Sequence, residues 1–377
     1  MTKTFLPLAL LLLALADSSI AQEPDLFPVD KNGKTGYIDH NGKLIIPFKF
    51  DEARGFSEGL APVRIGEDWG YIDASGKIVV KPRFFQASAF SEGFAAVGVY
   101  FPRKKSIDSK VGYYNYIDRN GNLLSNEHLA VAFDFSEGLA DVMNDDDNRH
   151  FFIDKTGRHV FEFFAYEKEF KNGRVLFKTE GNMPESRTGY IDNTGKIVIS
   201  AQFHGGENFS EGLACVYNEK GAGYIDTNGN IAIDFKFDNC SSFSEGLASI
   251  LVNGLVGFID KSGKIVIQPQ FAWNPGKETR FSDGIAVVKV GESEKPTEDG
   301  LRDVTISSQG NIYAAKSGLF GVIDTSGKFI IPPKYVQIGD FHYGLAWVNL
   351  SDSYIIHGDT DRWGYINKQG KIVWKSF

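Results

Sequence analysis

Four groups of residues in this chain have types and spacings that could do chemistry. The first is an aspartate that returns inside one recurring phrase, as in GYIDHNGK from Gly36, GYIDASGK from Gly70 and GYIDTNGN from Gly223. The runs DRNGN from Asp118 and DTNGN from Asp226 resemble the opening of a calcium loop. Calcium takes about six to eight oxygens, normally from several carboxylates. Each phrase offers one carboxylate, and Lys often follows its glycine, as at Lys43 and Lys77, so a turn cap explains the Asp better than a metal does. The second group is Gly55-Phe56-Ser57-Glu58-Gly59, which matches the G-x-S-x-G nucleophile elbow. That elbow needs a strand–turn–helix setting. Here it is a recurring linker whose first glycine is Ala89, Asp134 or Asn208 in other copies, so the match is a coincidence.

The third group is the seven histidines (His40, His128, His150, His159, His204, His342, His357), which show no metal-binding spacing. His150 and His159 lie near Asp145, Asp146 and Asp147, a pattern that reads as a solvated acidic loop. The fourth is Cys215 and Cys240. Cys240 stands where other units carry Ala53, Ala87 or Ala132, and Cys215 where they carry Pro62, Ala96 or Ser249. Two small buried residues is the plain reading; an oxidising compartment would also permit a disulfide, and the sequence leaves that open. Carboxylate pairs suited to glycoside hydrolysis recur in every unit, so no single pair stands out. No catalytic, cofactor-binding or metal-binding residue is assigned, no cofactor is implied, and the binding residues are unknown.

What positions these residues is a repeat. Nine copies of the first phrase run from Gly36 to Gly364, and a second phrase, most often FSEGLA, follows each of the first eight. Clear copies start at Phe56, Phe90, Phe135, Phe209 and Phe243, and the basic period is the step from Phe56 to Phe90, repeated from Phe209 to Phe243. Such a period means stacked units that share one extended core. In the second unit, Leu60 to Val63, Trp69 to Asp73 and Lys77 to Val80 read as three short strands. The Asp73-Ala74-Ser75-Gly76 link reads as a type I turn with a bulged glycine. The third strands, such as Leu44-Ile45-Ile46 and Ile265-Val266-Ile267, are continuous apolar runs and are expected to be buried on both faces. Linker phenylalanines, part of a total of 31, are expected to plug the gaps between neighbouring sheets.

The expected fold is all-β: nine stacked three-stranded antiparallel meanders forming an open superhelix or solenoid, with a closed β-propeller as the alternative. Leu26 aligns with Leu60, and the chain finishes on its own third strand at Trp374, so no strand is left over to exchange at the ends. An outer-membrane barrel is discounted despite the terminal Phe377, because the third strands lack alternation.

The ends and the charge narrow the setting. Residues 1–21, with Lys3, a Leu-rich run and Ser19-Ile20-Ala21, read as a secretory signal peptide, leaving residues 22–377 as one repeat array. No further stretch is long enough to span a membrane, so the mature chain is expected to be secreted or periplasmic. The net charge of −8 argues against nucleic acid, and the Arg103-Lys104-Lys105 cluster is too short to reverse that.

Length varies almost entirely in one hairpin. The step from the Ile of the first phrase to the Phe of the second is the same in six units, as from Ile38 to Phe56 and from Ile323 to Phe341. The step from that Phe to the next Ile varies widely, being shortest from Phe56 to Ile72 and longest from Phe281 to Ile323. The insertions are Phe101 to Val111, Asn144 to Arg149, Lys178 to Thr188, Gly291 to Gly318 and Leu350 to Arg362, all expected on one rim.

The two linked phrases, with WGYI intact at Trp69 and Trp363, resemble the WG-repeat (KWG) family over nearly all of the mature chain. The main departures are Phe170-Lys171-Asn172-Gly173 in place of FSEG, and the missing Trp in most units. The resemblance implies an all-β bacterial array without a general catalytic activity, and it supplies no catalytic residues. The expected role is a non-catalytic exported scaffold binding a protein partner in the cell envelope or outside the cell. The alternative is a glycan or cell-wall binding module using aromatics such as Tyr100, Trp347 or Tyr354.

Overall fold

A computed structural model describes residues 25–101, 112–144, 149–162, 169–179, 186–275, 278–291, 304–306, 312–314, 318–350 and 362–377. The proposed signal peptide at residues 1–21 lies outside the described residues. The described residues form strands and turns, without a helix, in antiparallel sheets that follow the repeat, except that units three and four share one sheet and units seven and eight, through Ala272 opposite Lys289, share another. None of the described segments is a helix long and apolar enough to cross a membrane.

The second unit shows the plan. Strands Leu60–Ile65, Asp68–Asp73 and Ile78–Phe84 form the expected meander, with Leu60 opposite Asp73 and Ile72 opposite Ile78. A short linker strand, Glu52–Ala53, pairs with the first strand and makes the sheet four-stranded. The same addition occurs in the sixth unit, where Gly205–Gly206 pairs with Leu213–Asn218. Asp73 caps the second turn: its Oδ1 accepts the N–H groups of Ser75 and Lys77 at 2.9 and 3.0 Å. Gly76 closes the turn with its N–H on the Asp73 carbonyl at 2.9 Å and a φ of 79°.

The third strands correct one expectation. Leu44 and Ile45 are 42% and 41% exposed, whereas Ile46 is 1% exposed. The third strand of this first unit is an outer edge with one partner strand, so only its third apolar residue reaches the gap between sheets. The expectation of burial on both faces fails because, among the described residues, no sheet covers that edge.

The remaining motif letters explain how units join. The linker phenylalanines Phe90, Phe135, Phe209 and Phe243 are buried plugs, Phe56 is partly buried, and Phe90 meets the ring of Tyr71 with centroids 5.0 Å apart. The Tyr of each GYID phrase reaches across the boundary: Tyr37, Tyr71, Tyr190 and Tyr224 donate their hydroxyls to the carbonyls of Arg54, Ser88, Glu207 and Ser241. Unsatisfied phenols would be costly at this depth, and these bonds remove that cost. The disulfide left open by the sequence is present: Cys215 and Cys240 are bonded, with Cα atoms 5.9 Å apart. It ties the first strand of the sixth unit to the linker strand of the seventh, since Cys240 lies opposite Ile250.

Units three and four depart from the plan. Strand Leu129–Ala132 pairs on both sides, with Gly112–Ile117 and with Leu139–Asn144, fusing two units into one seven-stranded sheet. At the other extreme of the chain, the first and last units touch. Phe27, Val29 and Ile38 share a buried cluster with Leu345, against which Trp363, Tyr365 and Trp374 pack. The Phe27 and Tyr365 rings lie 5.7 Å apart, and the Tyr365 hydroxyl points to the Pro28 carbonyl at 3.4 Å. No strand crosses this seam among the described residues.

Candidate functional site

The two ends of each sheet differ in kind, and the difference begins with the F-S-E-G turn. Ser57 and Leu60 exchange both backbone hydrogen bonds around Glu58 and Gly59, whose φ values are 51° and 78°. That is a two-residue turn with positive φ at both central positions, the type that suits a twisted hairpin. Ser57 Oγ donates to the Phe90 carbonyl of the next unit at 2.6 Å, so the serine of the apparent elbow is a strut between units. The Glu58 carboxylate accepts the Gly93 N–H at 3.0 Å. The link then repeats: Glu92 to Gly138, Glu137 to Gly173, Asn172 to Gly212, Glu211 to Gly246, Glu245 to Gly284 and Asp283 to Gly344. A basic residue from a neighbouring second turn joins several of them, with Lys155 at 2.9 Å from Glu92 and Lys261 at 2.9 Å from Glu211. This end of the array is a hydrogen-bonded rail, closed to variation in length.

The hairpins between first and second strands lie at the opposite end of every sheet, because each first strand starts at the F-S-E-G turn and runs away from it. All five insertions belong to these hairpins. Residues 102–111, 145–148, 180–185, 292–303, 307–311, 315–317 and 351–361 of the insertions lie outside the described residues. Within the longest, Val304–Ile306 and Ile312–Ala314 pair as a small antiparallel ribbon. Of the aromatics singled out for glycan binding, Tyr354 lies outside the described residues. Tyr100 is half-buried, with its hydroxyl on Asp68 at 2.9 Å and its ring against Phe85. Trp347 is 40% exposed.

The histidines find partners that the sequence did not suggest. His150 Nδ1 lies 3.0 Å from Oδ1 of Asp141, a buried carboxylate on the neighbouring strand. His159 stacks on Phe151 at 3.9 Å and approaches Glu127 at 3.4 Å.

One concave site was missed by the sequence reading. A cleft of about 290 Å³ lies between the sixth and seventh units and the linker that follows the seventh. Its walls include Glu207, Tyr217, Asn239, Ser241, Trp273 and Glu278. The signal was available: Phe271 and Phe281 stand further apart in the chain than Phe50 and Phe56, Phe84 and Phe90, or Phe237 and Phe243. This extended linker supplies Trp273 and Glu278. The Glu278 carboxylate accepts the Ser242 N–H at 2.8 Å, and the Tyr217 hydroxyl donates to Asn239 Oδ1 at 2.8 Å. The Ser249 hydroxyl and N–H both reach Ser241 Oγ at 2.9 Å, and the disulfide at Cys240 lies in the same floor. Burial pushes the Tyr217 hydroxyl up to about 12, and the carboxylates of Glu207 and Glu278 add to that rise while the Cys240 carbonyl opposes it.

Comparison with known proteins bears on family and fold. In overall shape the chain is similar to a solved eukaryotic initiation factor: 11% identity, 93% of this chain and 94% of that one covered, TM-score 0.59. This likeness concerns the all-β fold alone. BamB from Moraxella catarrhalis aligns more loosely, with 11% identity, coverage of 86% and 91%, and a TM-score of 0.36. No curated protein matches the chain in sequence. The model of the WG containing repeat matches residues 36–67, 69–99, 189–220, 223–255, 257–292 and 320–354, more than half of the sequence. The chain therefore belongs to the WG-containing repeat family.

Proposed function

We propose that the protein is a non-catalytic, exported binding scaffold that engages a protein partner in the cell envelope or outside the cell through its hairpin end. The observation that carries this reading is the asymmetry of the array. The rail end repeats the same bonds from unit to unit, while the opposite end takes every hairpin insertion. Surface loops on a rigid frame are where binding specificity usually resides.

The frame is proposed to be a closed ring of nine units, in preference to an open superhelix. The packing of Phe27 on Tyr365 supports closure, as does the position of Gly42, where an added Cβ would meet the Val373 carbonyl. In the other units the glycine of the second turn packs on the third strand of the preceding unit, as Gly76 does on Ile46 and Gly263 on Ile233. Unit one and unit nine thus meet much as sequential neighbours do.

The test uses the mature chain beside a variant in which residues 292–317 are replaced by a short Asn-Gly turn. Both serve as bait in envelope extract and are sedimented with purified sacculi. A protein retained by the intact chain and lost with the hairpin supports the reading. Sedimentation with sacculi that ignores the hairpin, with no protein retained, would replace it with wall binding. Fractionation of the producing cells checks export, with a mature amino terminus expected at Gln22.

A further inference from the structure

We infer that Asn32 and Asn253 are sites of spontaneous covalent modification, at which the asparagine of the folded chain converts to isoaspartate or aspartate. The inference is independent of the hairpin-end partner, since it rests on backbone chemistry inside single turns.

Six asparagines precede a glycine: Asn32, Asn41, Asn120, Asn172, Asn228 and Asn253. At such a pair the glycine nitrogen can attack Cγ of the asparagine, because no Cβ on the glycine stands in the way. A C–N bond forms at Cγ, the bond to the side-chain nitrogen breaks, and ammonia leaves with the proton of the glycine N–H. The product is a cyclic succinimide. Water then opens the ring at either carbonyl, giving aspartate, or isoaspartate with the main chain rerouted through the side chain. No reactant other than water is needed.

The structure sorts the six by whether the attacking nitrogen is already held. Gly42, Gly121 and Gly229 donate their N–H groups to the carbonyls of Asp39, Asp118 and Asp226, each at 2.9 Å. The Gly173 N–H is held by Glu137 Oε2 at 2.6 Å, and Asn172 Oδ1 accepts the Gly212 N–H at 2.8 Å. Attack at these four must first break a hydrogen bond. Asn32 and Asn253 occupy a different turn. Lys31 pairs with Lys34 and Val252 with Leu255, so each Asn-Gly is a two-residue hairpin link. Its φ values are 52° and 71° at Asn32 and Gly33, and 51° and 77° at Asn253 and Gly254. Asn-Gly is the pair such a turn favours, so the residues that make the hairpin also make it reactive. Among the described residues, no group accepts the N–H of Gly33 or Gly254, and both asparagines are exposed.

The two sites differ in consequence. The Asn253 N–H donates to Asp238 Oδ2 at 2.7 Å, which steadies that turn. A carboxylate formed at position 253 lies beside the one already on Asp238, so conversion there loosens the hairpin. Asn32 stands between Lys31 and Lys34, which accept a new negative charge. Asn32 is therefore the faster site and Asn253 the more damaging one.

The experiment is peptide mapping by mass spectrometry of the mature chain, incubated folded in neutral buffer and, in parallel, unfolded in urea. In the folded chain Asn32 and Asn253 are expected to convert at least about tenfold faster than Asn41, Asn120, Asn172 and Asn228, the factor that one retained hydrogen bond supplies. In urea the six are expected to converge. Glu137→Ala frees the Gly173 N–H and is expected to speed conversion of Asn172 about tenfold. Should that variant fail to fold by circular dichroism, the six-site comparison in the unaltered chain still decides. Asn32→Gly and Asn253→Gly keep a turn of the same type and are expected to abolish the hairpin signals. Equal rates at all six sites in the folded chain would overturn the inference. So would fastest conversion at any of the four held sites, or none at Asn32 and Asn253 while the unfolded chain reacts.

Discussion

The glutamate of the F-S-E-G turn holds an unfavourable backbone conformation in unit after unit. Glu58, Glu92, Glu137, Glu211 and Glu245 have φ between 51° and 55°, a region that costs a side chain roughly 1–2 kcal/mol relative to glycine. The carboxylate is what offsets it. Glu92 accepts the Glu137 and Gly138 N–H groups at 2.7 and 2.9 Å and pairs with Lys155. Replacing Glu92 by Gly relieves the strain and removes the bonds, so the sign of the change is diagnostic. Charge-assisted bonds are worth about 1.5–3 kcal/mol each. Glu92→Gly is therefore expected to destabilise by about 1–2 kcal/mol in urea unfolding, the low end of the roughly 1–5 kcal/mol difference because the carboxylate is partly solvated; a gain in stability would mean that the rail contributes nothing.

The same carboxylates set an acid limit. Burial opposes ionisation of Glu92, yet Lys155 and the two N–H groups together hold its carboxyl below the usual range, and Glu211 behaves likewise with Lys261 and Gly246. Among the turn aspartates, Asp154 is lowered to about 2, chiefly by the Thr156 hydroxyl, and Asp73, Asp192, Asp260 and Asp324 are lowered by their own Ser or Thr. A carboxyl with a depressed folded value contributes stability above its unfolded value and loses it as pH falls through the folded one. Stability is thus expected to hold above about pH 4.5 and to fall progressively towards pH 2. Melting temperatures across that window check it, and a flat profile would remove the turn caps and the rail as contributors.

At the scale of the element, the glycine before Tyr decides whether a unit keeps its outer strand. A Cβ on Gly70 would lie 2.5 Å from the Val80 carbonyl, and Gly36, Gly223, Gly257 and Gly321 face the same crowding from their third strands. Unit three has Asn115 there instead. Its outer strand is reduced to a bridge at Leu123, and the buried Asn115 side chain donates to the carbonyls of Ser125 and Glu127 in the space left. Unit four has Phe151 and keeps only the shorter strand His159–Glu162 where unit two has Ile78–Phe84. Gly70→Ala is expected to cost about 1–3 kcal/mol by overpacking, with loss of amide protection along Ile78–Phe84. Full protection of that strand in the variant would show that the close approach is not what requires glycine.

At the scale of the whole molecule, the seam between units one and nine has its own chemistry. The carboxylate of the rail is missing there, because Tyr343 takes the place of the glutamate in the last unit. Packing takes over. Phe27 occupies a slot that is Ala61, Ala95, Ala140, Ala214, Ala248, Ala286 or Ala346 in seven other units and Val175 in the fifth, and its ring meets Tyr365 as the linker phenylalanines meet the Tyr of the unit before. In the proposed ring this residue replaces the missing linker Phe, since position 22 is Gln. Phe27→Ala is expected to cost about 3–5 kcal/mol, the range for a buried aromatic, and to open the amino-terminal unit to proteolysis. A cost under about 1 kcal/mol would mean that the ends part in solution.

The sequence alone determined the repeat, the strand order within a unit and the turn chemistry, because these depend on spacing of a few residues and on φ requirements that only Gly, Asp and Asn meet well. Asp73 and Gly76 could be placed in their turn without coordinates for that reason. Burial of the third strands was misread from the same text, since Leu44 and Ile46 are equally apolar and only the position of the next sheet separates them. The disulfide, the meeting of Phe27 with Tyr365 and the cleft around Trp273 all join residues on different units. Such contacts depend on the rotation from one sheet to the next. That small angle is set by side-chain packing summed over every boundary, and no local motif encodes it.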